Sequence, residues 1–451
     1  MTDQGPRPSR GRPARALSAL HPARLFSSAF ARGVALLAGG TVLAQLLSFV
    51  VAPVLTRLYD PRDFGMLAVF TSIATIWGIV SSLRYEYAIP LPEDSRVAAD
   101  VLGAGAAVLV VECVAGVPVV ALAGPALFRL LNVSGLSPYW WLLPVAVFVS
   151  GVYVLLYFWA IRQRSYKRIA GTKVRQALWR SGLQLGLGLL HVAPLGLLLG
   201  QTAGGAAGAV TLWRQAWGAE PDAFRGISRP GMLRAARRYV RFATYGSLSG
   251  LLNALGLQLT PLVFAHLFGA GETGLLALTL RVLLLPLSLV GVAIGEAYLG
   301  TAPKLLREDP AGGRRLFLRL TRRLLLIGAV PTAAVVVAGP WLFALVFGEE
   351  WRAAGEYARL LAPAALLMVT VSPLGQTANI FERQDLQALA DLARVLLLVA
   401  VFVAAARLGW GPAATVAGVS AALAVSYAVY FSLNWALLRA RARAAAGAGG
   451  R

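Results

Sequence analysis

Charge is scarce in this chain, and negative charge is scarcer still. Only 14% of its 451 residues are charged, 20 of them acidic against 42 basic. So little polarity cannot cover a soluble globule of this length, whereas hydrocarbon would solvate the 58% that is hydrophobic. A single cysteine, Cys113, set in an apolar stretch, rules out an intramolecular disulfide. The three histidines, His21, His191 and His266, share no metal-ligand spacing. There is no Walker A sequence and no nucleophile placed beside a base, so nothing supports an ATP-driven or enzymatic reading, and no cofactor or metal is expected. Residues 269–274 do fit G-x-G-x-x-G, but no strand precedes them, and they read as a turn. The net charge of +22 is dispersed through alternate connectors rather than gathered on one groove. That distribution points to anionic lipid headgroups and away from nucleic acid.

What the chain has in abundance is long apolar runs. They predict an all-α polytopic membrane protein of about twelve transmembrane helices, at roughly 33–58, 64–87, 97–121, 138–160, 173–191, 194–217, 240–267, 273–300, 318–347, 354–381, 386–407 and 411–438. About 33 of the 42 Lys and Arg fall in the N-terminal tail, in the connectors at 84–96, 161–175, 214–241 and 302–323, at 383, or from Arg439 onward. These are every second gap, which predicts that both termini are cytoplasmic. Residues 1–32 read as a basic disordered tail, 218–239 as a cytoplasmic linker with an amphipathic helix, and 439–451 as a second cytoplasmic tail. Tryptophans, Trp341 and Trp351 among them, fall near proposed helix ends, where indoles favour the interface.

An internal repeat organises the rest. Residues 58–68 (LYDPRDFGMLA) align without gaps on 267–277 (LFGAGETGLLA) at an offset of 209. Pro53 and Pro261 lie within one position of equivalence. With six helices between the copies, both start from the same side, which predicts two pseudo-symmetric six-helix lobes, 33–217 and 240–438, related by an axis along the membrane normal.

The segments RLYDPRDFGMLAVF and SLRYEYAIPLPED, and the stretch from Arg237 to Gly291, closely resemble Wzx-type oligosaccharide flippases of the multidrug, oligosaccharidyl-lipid and polysaccharide exporter superfamily. The resemblance implies transfer of undecaprenyl-diphosphate-linked oligosaccharide repeats across the bacterial inner membrane by alternating access, for O-antigen, capsule or exopolysaccharide synthesis. It also implies a polysaccharide polymerase and co-polymerase as partners. The competing readings are a cation-coupled drug exporter, which would want carboxylates at depth in its first helix, and a lipid II flippase, which would want fourteen helices.

Ionisable side chains at membrane depth are costly unless they face a cavity or a partner. Arg281 has no acid within one turn and suits a diphosphate. Arg180 extends a stripe with Gln176 and Gln184 that lipid would not tolerate. Thr41, Gln45 and Ser48 on the first helix, and Ser372, Gln376, Asn379 and Arg383 on the tenth, form further stripes able to bond sugar hydroxyls, and Asn253 on the seventh helix joins the cavity candidates. Arg84, Glu86 and Glu296 end the second and eighth helices and could form a gate. Asp391 and Arg394, at i and i+3, read as an intrahelical pair.

Overall fold

The computed structural model describes residues 29–381 and 383–448, and among them every regular element is helical. The basic tail expected at 1–32 falls almost wholly outside these residues. The first six long helices are α1 (Ala29–Leu58), α2 (Pro61–Val80), α3 (Ser95–Leu130), α4 (Leu142–Arg162), α5 (Tyr166–Leu189) and α6 (Leu195–Ala219). A short amphipathic α7 (Arg229–Arg238) leads to α8 (Ser247–Glu308), α9 (Pro310–Phe347), α10 (Arg352–Val371), α11 (Gln384–Leu408) and α12 (Pro412–Ala448).

Among the described residues, ten helical stretches are long and apolar enough to cross a membrane. α5 falls short because its polar stripe dilutes its hydropathy, and the 62-residue α8 counts once although it is broken at Gly269. There the backbone takes φ 81° and ψ −178°, a region open to glycine alone without strain. The turn expected at 269–274 thus contracts to one residue.

Helix starts follow the local sequence. α2 opens on a reciprocal cap: Asp63 N donates to Asp60 Oδ1 at 2.9 Å, Asp60 N donates to Asp63 Oδ2 at 3.2 Å, and Pro61 sits where no backbone donor is needed. Such a cap contributes about 1 kcal/mol.

The helices form two lobes. In the first, α5 packs between α1 and α6, while α4 meets α2, α3 and α6. In the second, α10 lies among α8, α9 and α12, and α11 packs on α12. The most extensive contact joins the lobes and runs antiparallel along α2 and α8. Gly65 lies against the backbone of Ala270, and Gly274 against the backbone of Pro61, so closely that a methyl group at either glycine would collide. With the 209 offset, Gly274 is the counterpart of Gly65 and Ala270 that of Pro61. The two copies of the repeat therefore grip each other reciprocally, as the two halves of a two-fold interface do. Further along the seam, Ser72 Oγ donates to Gln258 Oε1 at 3.0 Å, and Arg84 lies against Gly250. A shared core of Leu55, Tyr59, Phe64, Phe264, Phe347 and Trp351 closes the end that carries the repeats.

Several expectations change. α2 stops at Val80 and a 3-10 turn (Tyr85–Ala88) follows, with Leu83 and Arg84 at positive φ. The basic stretch 302–323 is helical, since α8 runs to Glu308 and α9 begins at Pro310; the apolar run marked only the membrane-embedded part of each helix. Trp351 is fully buried rather than interfacial: its Nε1 donates to Thr56 O at 3.0 Å and its ring meets Phe64 edge-on at 5.0 Å. The tenth-helix stripe is interrupted. Ser372–Gly375 form a 3-10 turn and Gln376–Ile380 a separate short helix, because Pro373 cannot donate to the preceding turn and Gly375 is a weak helix former. Gln376 and Asn379 therefore share no continuous helical face with Ser372, and their side chains lie outside the described residues.

Candidate functional site

The stretch around Gly200 to Gly208 weakens the sixth apolar run, and the packing shows what those glycines do. A Cβ at Gly200, Gly204 or Gly208 would meet Gln184, Arg180 and Gln176 respectively. The small stripe of α6 thus lets the polar stripe of α5 lie flat against it, the close-approach device of membrane helix pairs. Held against α6 in this way, Gln176, Arg180 and Gln184 line a cavity.

That cavity has a volume of about 380 Å³ and lies between α1, α2, α5, α6 and the second half of α8. Among the described residues its charged lining is Lys173, Arg180 and Arg281, with no carboxylate, and its neutral polar lining includes Gln45, Gln176 and Gln201. Arg281 belongs to the other lobe but reaches across, its Nη2 donating to Ser48 O at 2.9 Å. Lys173 holds its ammonium 5.2 Å from the Tyr153 ring centre and 5.5 Å from that of Tyr157, a cation–π placement that desolvates it without neutralising it. Gln184 is buried and donates Nε2–H to Leu197 O at 3.2 Å. Behind it, the Tyr59 hydroxyl donates to Gln184 O at 2.7 Å; burial, helped by the Asp63 charge, pushes that hydroxyl up to about 12, so it remains a donor near neutral pH. Arg180 Nε and Gln45 Oε1 are occluded and have no hydrogen-bond partner among the described residues.

Three uncompensated cations at membrane depth repel one another, and hydrocarbon-facing charge costs about 2.5–3.5 kcal/mol per residue at a helix centre. An anion with several oxygens relieves both penalties, because charge-assisted bonds to phosphate strengthen where water is sparse.

The structure brings together Arg281, Arg180, Gln184 and Gln45, and adds Lys173. In the sequence Lys173 sits at the edge of a basic connector and counts as a topology signal; only the early start of α5 at Tyr166 carries it into the cavity. Asn253 is exposed on α8 and lines none of the cavities described here. Arg84 pairs with Glu86 at 3.9 Å, and Glu86 also accepts from Ser82 Oγ at 2.6 Å, so both are engaged within their own turn. The Glu296 side chain lies outside the described residues. Asp391 and Arg394 form the expected pair at 3.0 Å, in a second pocket of about 250 Å³ in the C-terminal lobe. Among the described residues no cluster of His, Cys, Asp and Glu could hold a metal ion.

An all-helical membrane protein of two lobes, with a polar cavity between them, has the build of a transporter. This chain belongs to the polysaccharide biosynthesis protein family, whose profile matches residues 54–356. Over 182 residues it is 25% identical to the lipopolysaccharide biosynthesis protein WzxC of Escherichia coli K12, a match that covers 40% of this chain and only 37% of that relative. Among solved structures, an inward-facing MATE-family multidrug resistance transporter of the MOP superfamily aligns over 90% of this chain and 94% of its own, with a TM-score of 0.63 at 15% identity. The lipid II flippase MurJ in an inward closed conformation aligns over 89% of each chain, with a TM-score of 0.67 at 9% identity. At such identities the likeness is one of fold.

Proposed function

We propose that this protein carries a polyprenyl-diphosphate-linked oligosaccharide across the bacterial inner membrane by alternating access, with Lys173, Arg180 and Arg281 holding the diphosphate. The observation that carries this reading is the charge of the cavity: three cations and no carboxylate among the described lining residues. The lipid tail can stay in hydrocarbon between the lobes, so the protein has to shelter only the sugar and diphosphate, the parts that hydrocarbon rejects. A cation-coupled drug exporter would want the opposite lining, and α1 contributes only Thr41, Ala44, Gln45 and Ser48 to the cavity. Twelve spans follow when α5 and the second half of α8 are added to the ten apolar stretches (10 + 2 = 12). Lobes of 33–217 and 240–438, joined by a linker at 218–239, complete this reading, with a polymerase and co-polymerase downstream.

The test is flipping of a fluorescent polyprenyl-diphosphate oligosaccharide in proteoliposomes. Arg281→Ala should lower the rate by about 30-fold or more, since losing one partner of a desolvated charged contact costs about 2–5 kcal/mol, while Arg281→Lys should retain part of it. A wild-type rate from well-incorporated Arg281→Ala would sink the assignment. Orientation is checked separately. In a Cys113→Ala background, cysteines at Ala270 and Gly135 should react with an impermeant thiol reagent outside intact cells, and one at Gly312 should not. The reverse pattern would invert the direction of transport.

A further inference from the structure

The pocket in the C-terminal lobe has a chemistry of its own. It lies between α11, α12 and the end of α10, and its charged lining is one carboxylate and one guanidinium, Asp391 and Arg394, already paired at 3.0 Å. It therefore carries no net charge, unlike the cavity of the N-terminal lobe. The Tyr430 hydroxyl donates to Gln387 O at 3.4 Å, and Tyr427 and Tyr430 line the pocket beside the ion pair. The two tyrosine rings stand 6.5 Å apart at 37°. Gln387 adds an amide to the lining and Ser372 a hydroxyl. Asp391 keeps 44% of its side chain exposed and Arg394 25%, so both can meet a ligand.

Its lining residues on α11, Gln387, Asp391 and Arg394, lie on the helix face opposite the exposed leucines. The lipid side of α11 is marked by Leu389, Leu392 and Leu396, each more than half exposed, and an exposed carboxylate at this depth would not be tolerated among them. α5 and α11 are the fifth helices of their lobes. α5 turns its polar face to the space between the lobes, and the two-fold relation built by the repeats turns the polar face of α11 to that same space.

We propose that this pocket is a glycan subsite, receiving a neutral, hydroxyl-rich sugar while the cationic cavity of the N-terminal lobe holds the diphosphate. The inference rests on the diphosphate reading of that cavity. A sugar presents an apolar ring face and pairs of adjacent hydroxyls. Tyrosine rings match the face, and a fixed carboxylate, a guanidinium and an amide match the hydroxyls in bidentate fashion. A neutral site of this kind leaves binding of the anion to the other lobe and discriminates by the pattern of hydroxyls.

The experiment measures binding to purified full-length protein of two lipids of equal charge. One is farnesyl diphosphate bearing a neutral oligosaccharide on its terminal phosphate, and the other is the same diphosphate capped there by a methyl group. Wild type should bind the glycosylated lipid about tenfold more tightly, equivalent to about 1.4 kcal/mol. The double variant Asp391→Asn/Arg394→Gln should lose that increment while binding the methyl-capped lipid as wild type does, which also shows that it is folded. Tyr430→Phe, which keeps the ring but removes its hydroxyl from the pocket, should lose part of it. Arg281→Ala should weaken both lipids alike. Equal wild-type affinity for the two lipids, or an increment that survives the double variant, overturns the glycan subsite and leaves the diphosphate site standing. Wild-type protein that binds neither lipid overturns both.

Discussion

The N-terminal lobe gathers Lys173 and Arg180 beside Arg281 with no carboxylate among the described lining residues, whereas the C-terminal lobe pairs Arg394 with Asp391 beside two tyrosines. The same structural position, the inward face of the fifth helix, carries excess charge in one lobe and balanced charge in the other. A pair balances its own charge, while unpaired cations leave a demand that only an anion from outside meets. Two related scaffolds thus reach different chemistry through a handful of side chains.

The strongest way to break this contrast is to change the sign of the charge. Arg180→Glu should reduce binding of methyl-capped farnesyl diphosphate by about 30-fold or more, since a like charge beside a diphosphate costs several kcal/mol. Exchanging the partners in the other lobe, Asp391→Arg with Arg394→Asp, should leave that binding within about twofold, because the pair survives reversed. If the exchange costs as much as Arg180→Glu, charge balance does not separate the lobes.

A smaller effect is expected from packing. Gly204→Val drives a side chain against the Gln176 carbonyl and the Arg180 Cβ, and neither can move without shifting α5. Overpacking of this kind typically costs about 1–3 kcal/mol, read as a lower thermal midpoint together with weaker diphosphate binding. Gly418→Val on α12 meets the tips of Val401 and Trp410 instead, which can rotate away. Its cost should be the lesser of the two and should leave diphosphate binding intact; the reverse order would refute this account of the glycine stripe.

The smallest effect sharpens the role of Arg281. It holds the main-chain oxygen of Ser48, whose hydroxyl already donates to Ala44 O at 3.0 Å. Ser48→Ala should therefore change binding by no more than about 0.5 kcal/mol. A tenfold loss would show that the hydroxyl itself contacts the ligand.

Much of this was legible in the sequence. The apolar runs marked where helices cross, and the 209 offset picked out the two segments that meet at the centre of the molecule. The stripe of Gln176, Arg180 and Gln184 was visible because a polar face on an apolar helix has few other uses. Lys173 was not, because a lysine two turns inside a helix reads like a lysine in a loop until the helix start is known. Nor was the burial of Trp351: composition places indoles at interfaces, and only the opposite lobe supplies the Thr56 carbonyl that accepts its N–H. The break at Ser372–Gly375 was signalled by Pro373, but apolar neighbours on both sides concealed it. The partner of Asp391 was apparent from spacing; the tyrosines that line the same pocket arrive from α12 and are distant in sequence.

The seam at Gly65 and Gly274 has a bearing on ancestry. A contact in which each partner offers the same glycine to the same position on the other is self-complementary, so two copies of a single six-helix unit could make it with no further adjustment. A chain that holds both copies keeps them at fixed stoichiometry and frees each from having to match its twin. Change can then accumulate in one half at a time, provided the shared seam is spared, and the unlike interiors of the two lobes are what such freedom permits.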